Sequence, residues 1–388
     1  MTNRFLNEFA DTIRLAIDTS VHAVRTLAAA YTAIDSRNLA LRAATTTTLA
    51  VVLAVLIACV MHLQEVWWAA ISAYMSTNPQ SIARGLRRIA GTIIGALLAI
   101  MLIGWLSDDL VACCLVLFAV TAIGSIGFNV SRRGYAWLLM CVTFGMVLLS
   151  SLSSPASAFA FGIDRVIEVV VGTCSALVVA KVLVEGRAPD TPVRGWSDLL
   201  GSGLPIVMHA IRSGVTVALL PVVWSTLDLP GESQMAITLV AVLATPVLTD
   251  LHATHRRVVE RALHRLLGCA MGGLLALALL GLSFSVVVPW LIVLAGGVWL
   301  FAYMQHDTHD ATYVGTQAGV VFITTLVQGS GPPESILPGI DRFVGVSLGL
   351  LILFLAIALI GVPAPAGIDP TVRLRRGTDG EQAAPGNP

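Results

Sequence analysis

A chain of 388 residues that is 56% hydrophobic and only 12% charged, with a mean hydropathy of +0.85, cannot be an ordinary water-soluble domain. Its 23 basic and 23 acidic residues cancel, which leaves no basic field for nucleic acid. No nucleophile with a base, phosphate-binding glycine loop or Walker pattern marks an enzyme or direct use of ATP, and the composition is that of an all-α integral membrane protein.

In chain order, residues 4–30 place Phe5, Phe9, Ile13, Ile17, Val24 and Leu27 on one helical face, with Glu8, Asp11, Arg14, Asp18, His22 and Arg25 elsewhere. This predicts an amphipathic cytoplasmic helix over 1–38 that packs on protein or lies on the bilayer. Its mixed charge and lack of a continuous apolar core do not fit a cleavable signal. Apolar runs long enough to cross about 30 Å of hydrocarbon follow at 43–61, 66–82, 89–106, 110–128, 135–152 and 162–184. Six more come at 210–227, 234–250, 266–283, 287–304, 311–328 and 340–362. Residues 186–206, rich in Gly and Pro, read as a cytoplasmic linker and 364–388 as a disordered cytoplasmic tail.

Landmarks recur in order. Gly162-Ile163-Asp164-Arg165 returns as Gly339-Ile340-Asp341-Arg342, and each copy is followed by a further glycine, Gly172 or Gly349. Arg84-x-x-x-Arg88-x-x-Gly91 returns as Arg261-x-x-x-Arg265-x-x-Gly268, and Asn78-Pro79 is answered by Thr245-Pro246. The pattern predicts one unit of about 170 residues present twice, a first six-helix membrane repeat over 39–185 and a second over 207–363. An even number of spans per unit makes the two repeats parallel, related by an axis along the membrane normal.

Lys and Arg are retained on the cytoplasmic side, and with both termini inside, all but two of the 23 basic residues fall on that side. The opposite loops carry Glu65, Asp108, Asp109, Asp228, Glu232 and Glu334. The two basic residues left over are Arg165 and Arg342. All six cysteines lie in apolar spans, with no disulfide framework or zinc spacing.

Asp164 and Arg165 are neighbours and point about 100° apart on a helix, so each needs another partner. One solution is pairing across the twofold, Asp164 with Arg342 and Asp341 with Arg165. The other is Arg165 with Glu168 at i,i+3. Glu168 aligns with Gly345, so it is a carboxylate without a counterpart and a candidate proton carrier. Counting from Lys181 at about 1.5 Å per residue puts Asp164 roughly 26 Å away, near the outer edge of the hydrocarbon. These charges therefore form either an outer mouth or structural ion pairs between the repeats.

Arg84, Arg88, Arg261 and Arg265 open the third helix of each repeat, where cations oppose the helix dipole. They are either an inner anion entrance or topology anchors. Asn78, Pro79, Thr245 and Pro246 end the second helix early, as a pathway feature or a plain kink. Thr45 to Thr48 satisfy their hydroxyls on backbone carbonyls. His252-x-x-His255 and His306-x-x-His309 lack further ligands, so no metal site or cofactor is expected. Trp67, Trp68, Trp105 and Trp290 read as belt residues at helix ends, the first two also as an aromatic wall.

Leu39-Ala-Leu-Arg42, the run from Trp67-Trp68 to Ser72, and Arg84-Gly-Leu-Arg-Arg88-Ile-Ala-Gly91-Thr92-Ile-Ile-Gly95 resemble the fusaric acid resistance and aromatic acid exporter family. Arg261-Ala-Leu-His-Arg265-Leu-Leu-Gly268-Cys-Ala-Met-Gly272 resembles the same element again. The resemblance covers about residues 38 to 362, and plant aluminium-activated malate channels look like distant relatives with one such repeat per chain. It implies a multi-pass protein of the bacterial inner membrane that exports aromatic carboxylic acids, often beside a periplasmic adaptor. The longer exporters carry sizeable soluble segments after each membrane half, where this sequence reads as a linker of about 20 residues and a short tail.

The expectation is thus about 12 transmembrane helices as two parallel six-helix repeats, exporting small organic anions by proton coupling through Asp164, Arg165, Glu168, Asp341 and Arg342. A passive organic-anion channel and a non-transporting membrane scaffold are the alternatives.

Overall fold

The computed structural model of the protein describes residues 39–77, 82–183, 203–227, 232–247, 251–281, 286–306, 312–329, 331–333 and 335–360. The helix expected over 1–38, most of the linker, the tail, Asn78 and Pro79 lie outside these residues. The first half contains α1 (Leu39–Val60), α2 (Val66–Ser76), α3 (Ile82–Leu106), α4 (Leu110–Val130), α5 (Gly134–Ser151) and α6 (Ala158–Leu183). The second contains α7 (Leu204–Ala218), α8 (Leu220–Leu227), α9 (Glu232–Leu243), α10 (Leu251–Leu280), α11 (Val287–His306), α12 (Thr312–Leu326) and α13 (Leu337–Ile360). Beyond these helices and the short 3-10 turn Pro155–Ser157, the described residues hold one isolated bridge, Gln328 to Gly331.

Among the described residues nine helical stretches are long and apolar enough to cross a membrane, α7 and α8 counting as one stretch over Leu204–Thr226. The helices α2, α9 and α12 are shorter, with 11, 12 and 15 residues. The runs expected to extend to 82 and 250 stop being helical at Ser76 and Leu243. Proline lacks the N–H that a continuing helix needs and pushes the residue before it out of the α region. Thr245 accordingly leaves the helix, its N–H reaching the Leu243 carbonyl at 2.7 Å and its hydroxyl donating to the Val242 carbonyl at 2.7 Å. Pro221 sits at the start of α8, just past the break after α7. Further starts come earlier than expected, among them α3 at Ile82 instead of 89, α10 at Leu251 instead of 266, and α7 at Leu204, inside the stretch read as linker.

Within each half the third helix packs on the fifth and the second on the sixth. A side chain at Gly91 would strike the Ala136 carbonyl, and one at Gly268 the Val314 carbonyl, so α3 meets α5 and α10 meets α12 at backbone distance. The halves interlock reciprocally: α1 lies on α11 and α4 on α7, while α2 lies on α12 and α9 on α5. Tyr74 of α2 donates to the Gly315 carbonyl of α12 at 3.0 Å.

The early ends of the short helices are held from both halves. Thr47 of α1 lies 2.8 Å from the Thr77 hydroxyl and 3.1 Å from His306 Nε2. At the end of α9, His209 Nε2 lies 2.8 Å from the Leu243 carbonyl, and the Val247 N–H donates to Asn129 at 2.8 Å. Thr45 to Thr48 each donate to the carbonyl four residues back, as expected. Trp105 is exposed, as a belt residue should be, but Trp290 is buried and donates to the Leu326 carbonyl at 2.8 Å, because its indole faces the α11–α12 contact.

Candidate functional site

Near the ends at which α2, α6 and α13 begin, the two arginines of the repeated motif converge on one pair of tryptophans. On α6, Arg165 and Glu168 are one turn apart and share a face. Arg165 Nη1 lies 2.8 Å from Glu168 Oε2, and its Nη2 lies 4.0 Å from the Glu65 carboxylate. The other Glu168 oxygen accepts the backbone N–H of Glu65 at 2.9 Å. Glu65 is the N-cap of α2 and makes no side-chain cap of its own. A carboxylate from α6 therefore takes up an N–H at the start of α2, where the helix dipole favours negative charge.

The Arg165 guanidinium also lies over aromatic faces, 4.6 Å from the Trp68 centroid, 4.9 Å from Phe161 and 5.8 Å from Trp67. Trp67 and Trp68 stack at 4.6 Å. Arg342 of α13 lies 5.5 Å from the Trp67 centroid, so one indole is within reach of both motif arginines. The ring electrons are negative on their faces and attract the cations without neutralising them.

Of the two pairings expected for the motif, the intrahelical one forms. Asp164 is half-buried and Asp341 exposed, and among the described residues neither makes an ion pair with Arg342 or Arg165. In place of the crossed pairing, both arginines lie against Trp67, and Arg165 faces Glu65. Sequence spacing places Glu65 only among the loop acids and the tryptophans mainly in a belt; the run Glu65-x-Trp67-Trp68 was the available signal.

The arginines of α3 and α10 are tied to neutral groups. Arg88 donates to the Tyr135 hydroxyl at 2.8 Å and to Ser72 at 3.4 Å. Arg265 donates to Gln317 at 2.5 Å and to Thr238 at 3.3 Å. One turn earlier, Arg84 lies 4.6 Å from the Tyr135 ring and Arg261 lies 4.4 Å from the Tyr313 ring. Arg84 and Arg261 are half-buried, whereas Arg88 and Arg265 point into the protein. Sequence reasoning missed these acceptors, though Tyr135 and Tyr313 open the fifth helix of their respective halves. Asn78 and Pro79 are not described; Thr245 is buried and Pro246 exposed at the end of α9.

The charge balance follows. Among the described residues four arginines are buried, Arg88 at 4%, Arg165 at 1%, Arg265 at 3% and Arg342 at 4% exposure, against one carboxylate, Glu168 at 0%. Hydrogen bonds donated to hydroxyl and amide oxygens engage some of the Arg88 and Arg265 donors but leave the charge in place. Each uncompensated charge in such an interior costs several kcal/mol, so the arrangement is suited to receiving an anion. No group of three or more metal-ligating side chains occurs among the described residues.

The model of the Fusaric acid resistance protein family matches residues 40–203, and that of the Fusaric acid resistance protein-like family matches residues 222–356. Comparison with curated proteins and with solved structures gives no match. Both matched segments carry the arginine motifs just described, one in each half, and the apolar helices that hold them are long enough to cross a bilayer. The chain belongs to the fusaric acid resistance-like family of multi-pass membrane proteins.

Proposed function

We propose that the protein exports small organic anions, aromatic carboxylates among them, across the bacterial inner membrane and couples that movement to protons. The observation that carries this reading is the excess of buried arginine over buried carboxylate. In it, Arg84, Arg88, Arg261 and Arg265 collect the anion on the cytoplasmic side, and Arg165, Glu168 and Arg342 pass it to the outer mouth, where a periplasmic adaptor receives it. Corresponding contacts in the two halves support a duplicated unit of two parallel repeats: Arg84 with Tyr135 and Arg261 with Tyr313, Gly91 with Ala136 and Gly268 with Val314.

Glu168 is the coupling group of this reading. Ionised, it holds Arg165; protonated, it frees Arg165 for a substrate carboxylate. The groups facing it are Arg165 from its own helix and Glu65 from the start of α2. Proteoliposomes loaded with benzoate test the scheme. Wild-type protein is expected to release benzoate faster when a pH gradient is imposed, while Glu168→Gln exchanges benzoate but no longer responds to the gradient. Equal release with and without a gradient in both proteins favours a passive channel. No benzoate movement above that of empty liposomes rejects the transport reading.

A further inference from the structure

The motif Gly-Ile-Asp-Arg occurs twice, but only one of its arginines carries its own anion. Arg165 has Glu168 one turn on, 2.8 Å away, and Glu65 at 4.0 Å. Arg342 has Gly345 in the equivalent position. Arg342 is 4% exposed, and its Nε, like those of Arg88, Arg165 and Arg265, finds no hydrogen-bond partner among the described residues. The groups close enough to act on its charge are Arg265, Cys269 and Glu65, and Glu65 already faces Arg165. Trp67 lies beside both guanidiniums, at 5.8 Å from Arg165 and 5.5 Å from Arg342.

We propose that Arg342 is the resting seat of the transported carboxylate, and that ionised Glu168 is a built-in anion closing the equivalent seat on Arg165, so that at rest the chain holds one anion seat and not two. The inference rests on the organic-anion reading and adds its stoichiometry and ligand charge. A guanidinium presents two parallel N–H groups that match a carboxylate, and the Trp67 face beside it accepts a flat apolar body. Only one negative charge is provided for. The further cation acting on it, Arg265, already gives Nη1 to Gln317 and Nη2 to Thr238. The ligand is therefore a planar monocarboxylate; a dicarboxylate would strand its second charge in the interior.

The test restores the missing acid. Radiolabelled benzoate is titrated onto the full-length protein in detergent, with Gly345→Glu compared against Gly345→Gln, which has the same volume and no charge. Wild type is expected to bind about one benzoate per chain, Gly345→Gln to bind within about threefold of it, and Gly345→Glu to bind at least about tenfold more weakly because an internal carboxylate holds Arg342. Phthalate, with two charges, is expected to compete at least about tenfold less well than benzoate.

Two benzoates per wild-type chain, or equal binding by Gly345→Glu and Gly345→Gln, overturns the single seat while leaving the transport reading intact. If both Gly345 variants lose binding, Arg342→Gln decides without added volume: loss of saturable binding supports the seat and retention overturns it. Wild-type protein that moves benzoate in proteoliposomes but shows no saturable binding also overturns the seat. Absence of wild-type flux is a failure of the transport reading itself.

Discussion

A guanidinium inside a membrane bundle needs an anion, oxygen acceptors or an aromatic face, and the four buried arginines divide among these. Arg165 has carboxylates and aromatic rings, Arg88 and Arg265 have neutral oxygens, and Arg342 has the face of Trp67. Removing one member of a buried pair strands the other at a cost of about 3–5 kcal/mol, whereas removing both neutralises the site. Arg165→Gln and Glu168→Gln are each expected to lower thermal stability in detergent, and the double variant to lose clearly less than their sum. Asp164→Asn and Arg342→Gln, which do not meet, are expected to add within about 0.5 kcal/mol. Swapped outcomes for the two cycles would mean that the crossed pairing holds in solution. The i,i+3 choice was legible because it follows from helical geometry alone. The Trp67 platform and the Glu65 N–H were not, since each depends on which helix packs against α6.

The short second helices and the glycine-lined contacts set where these residues stand. Because α2 runs only from Val66 to Ser76, its start lies beside Glu168 and its end beside Thr47 and His306. Apolar periodicity found the helices but not these ends, since a hydrophobic run continues past a residue that has left the helix. It also set the start of α10 too late, because the charged turns before 266 look like loop. There Arg256 and Glu260 pair at i,i+4 with N–O at 2.9 Å and continue the helix in polar form. Gly91→Leu must push α3 away from Ala136, and overpacking of this kind costs about 1–3 kcal/mol or more. Its melting temperature in detergent is expected to fall, whereas Gly104→Leu, whose added Cβ meets nothing within 4 Å, is expected to leave it unchanged. Equal effects at the two positions would remove the argument for backbone contact between α3 and α5.

At the scale of the whole molecule, α1 packs on α11 and α4 on α7, so helices of the two halves lie directly against one another. With the proposed orientation, a single cysteine beside Asp108 in a cysteine-free background is expected to react with an impermeant thiol reagent in intact cells, and one beside Arg87 only after permeabilisation. Reversed accessibility would end that orientation. The helical membrane class could be read from composition. The distribution of charge between the halves could be read only in part, because the alignment of Glu168 with Gly345 names an asymmetry without showing what each arginine faces.

If the buried positive charge serves an anion rather than the fold, Arg342→Gln separates the two roles in one preparation. Benzoate counterflow in proteoliposomes and thermal unfolding are measured on the same purified variant. Counterflow is expected to fall at least about tenfold with no loss of melting temperature, because replacing an uncompensated interior cation by a neutral amide removes a desolvation cost. A variant that melts at a clearly lower temperature yet keeps wild-type counterflow would contradict it.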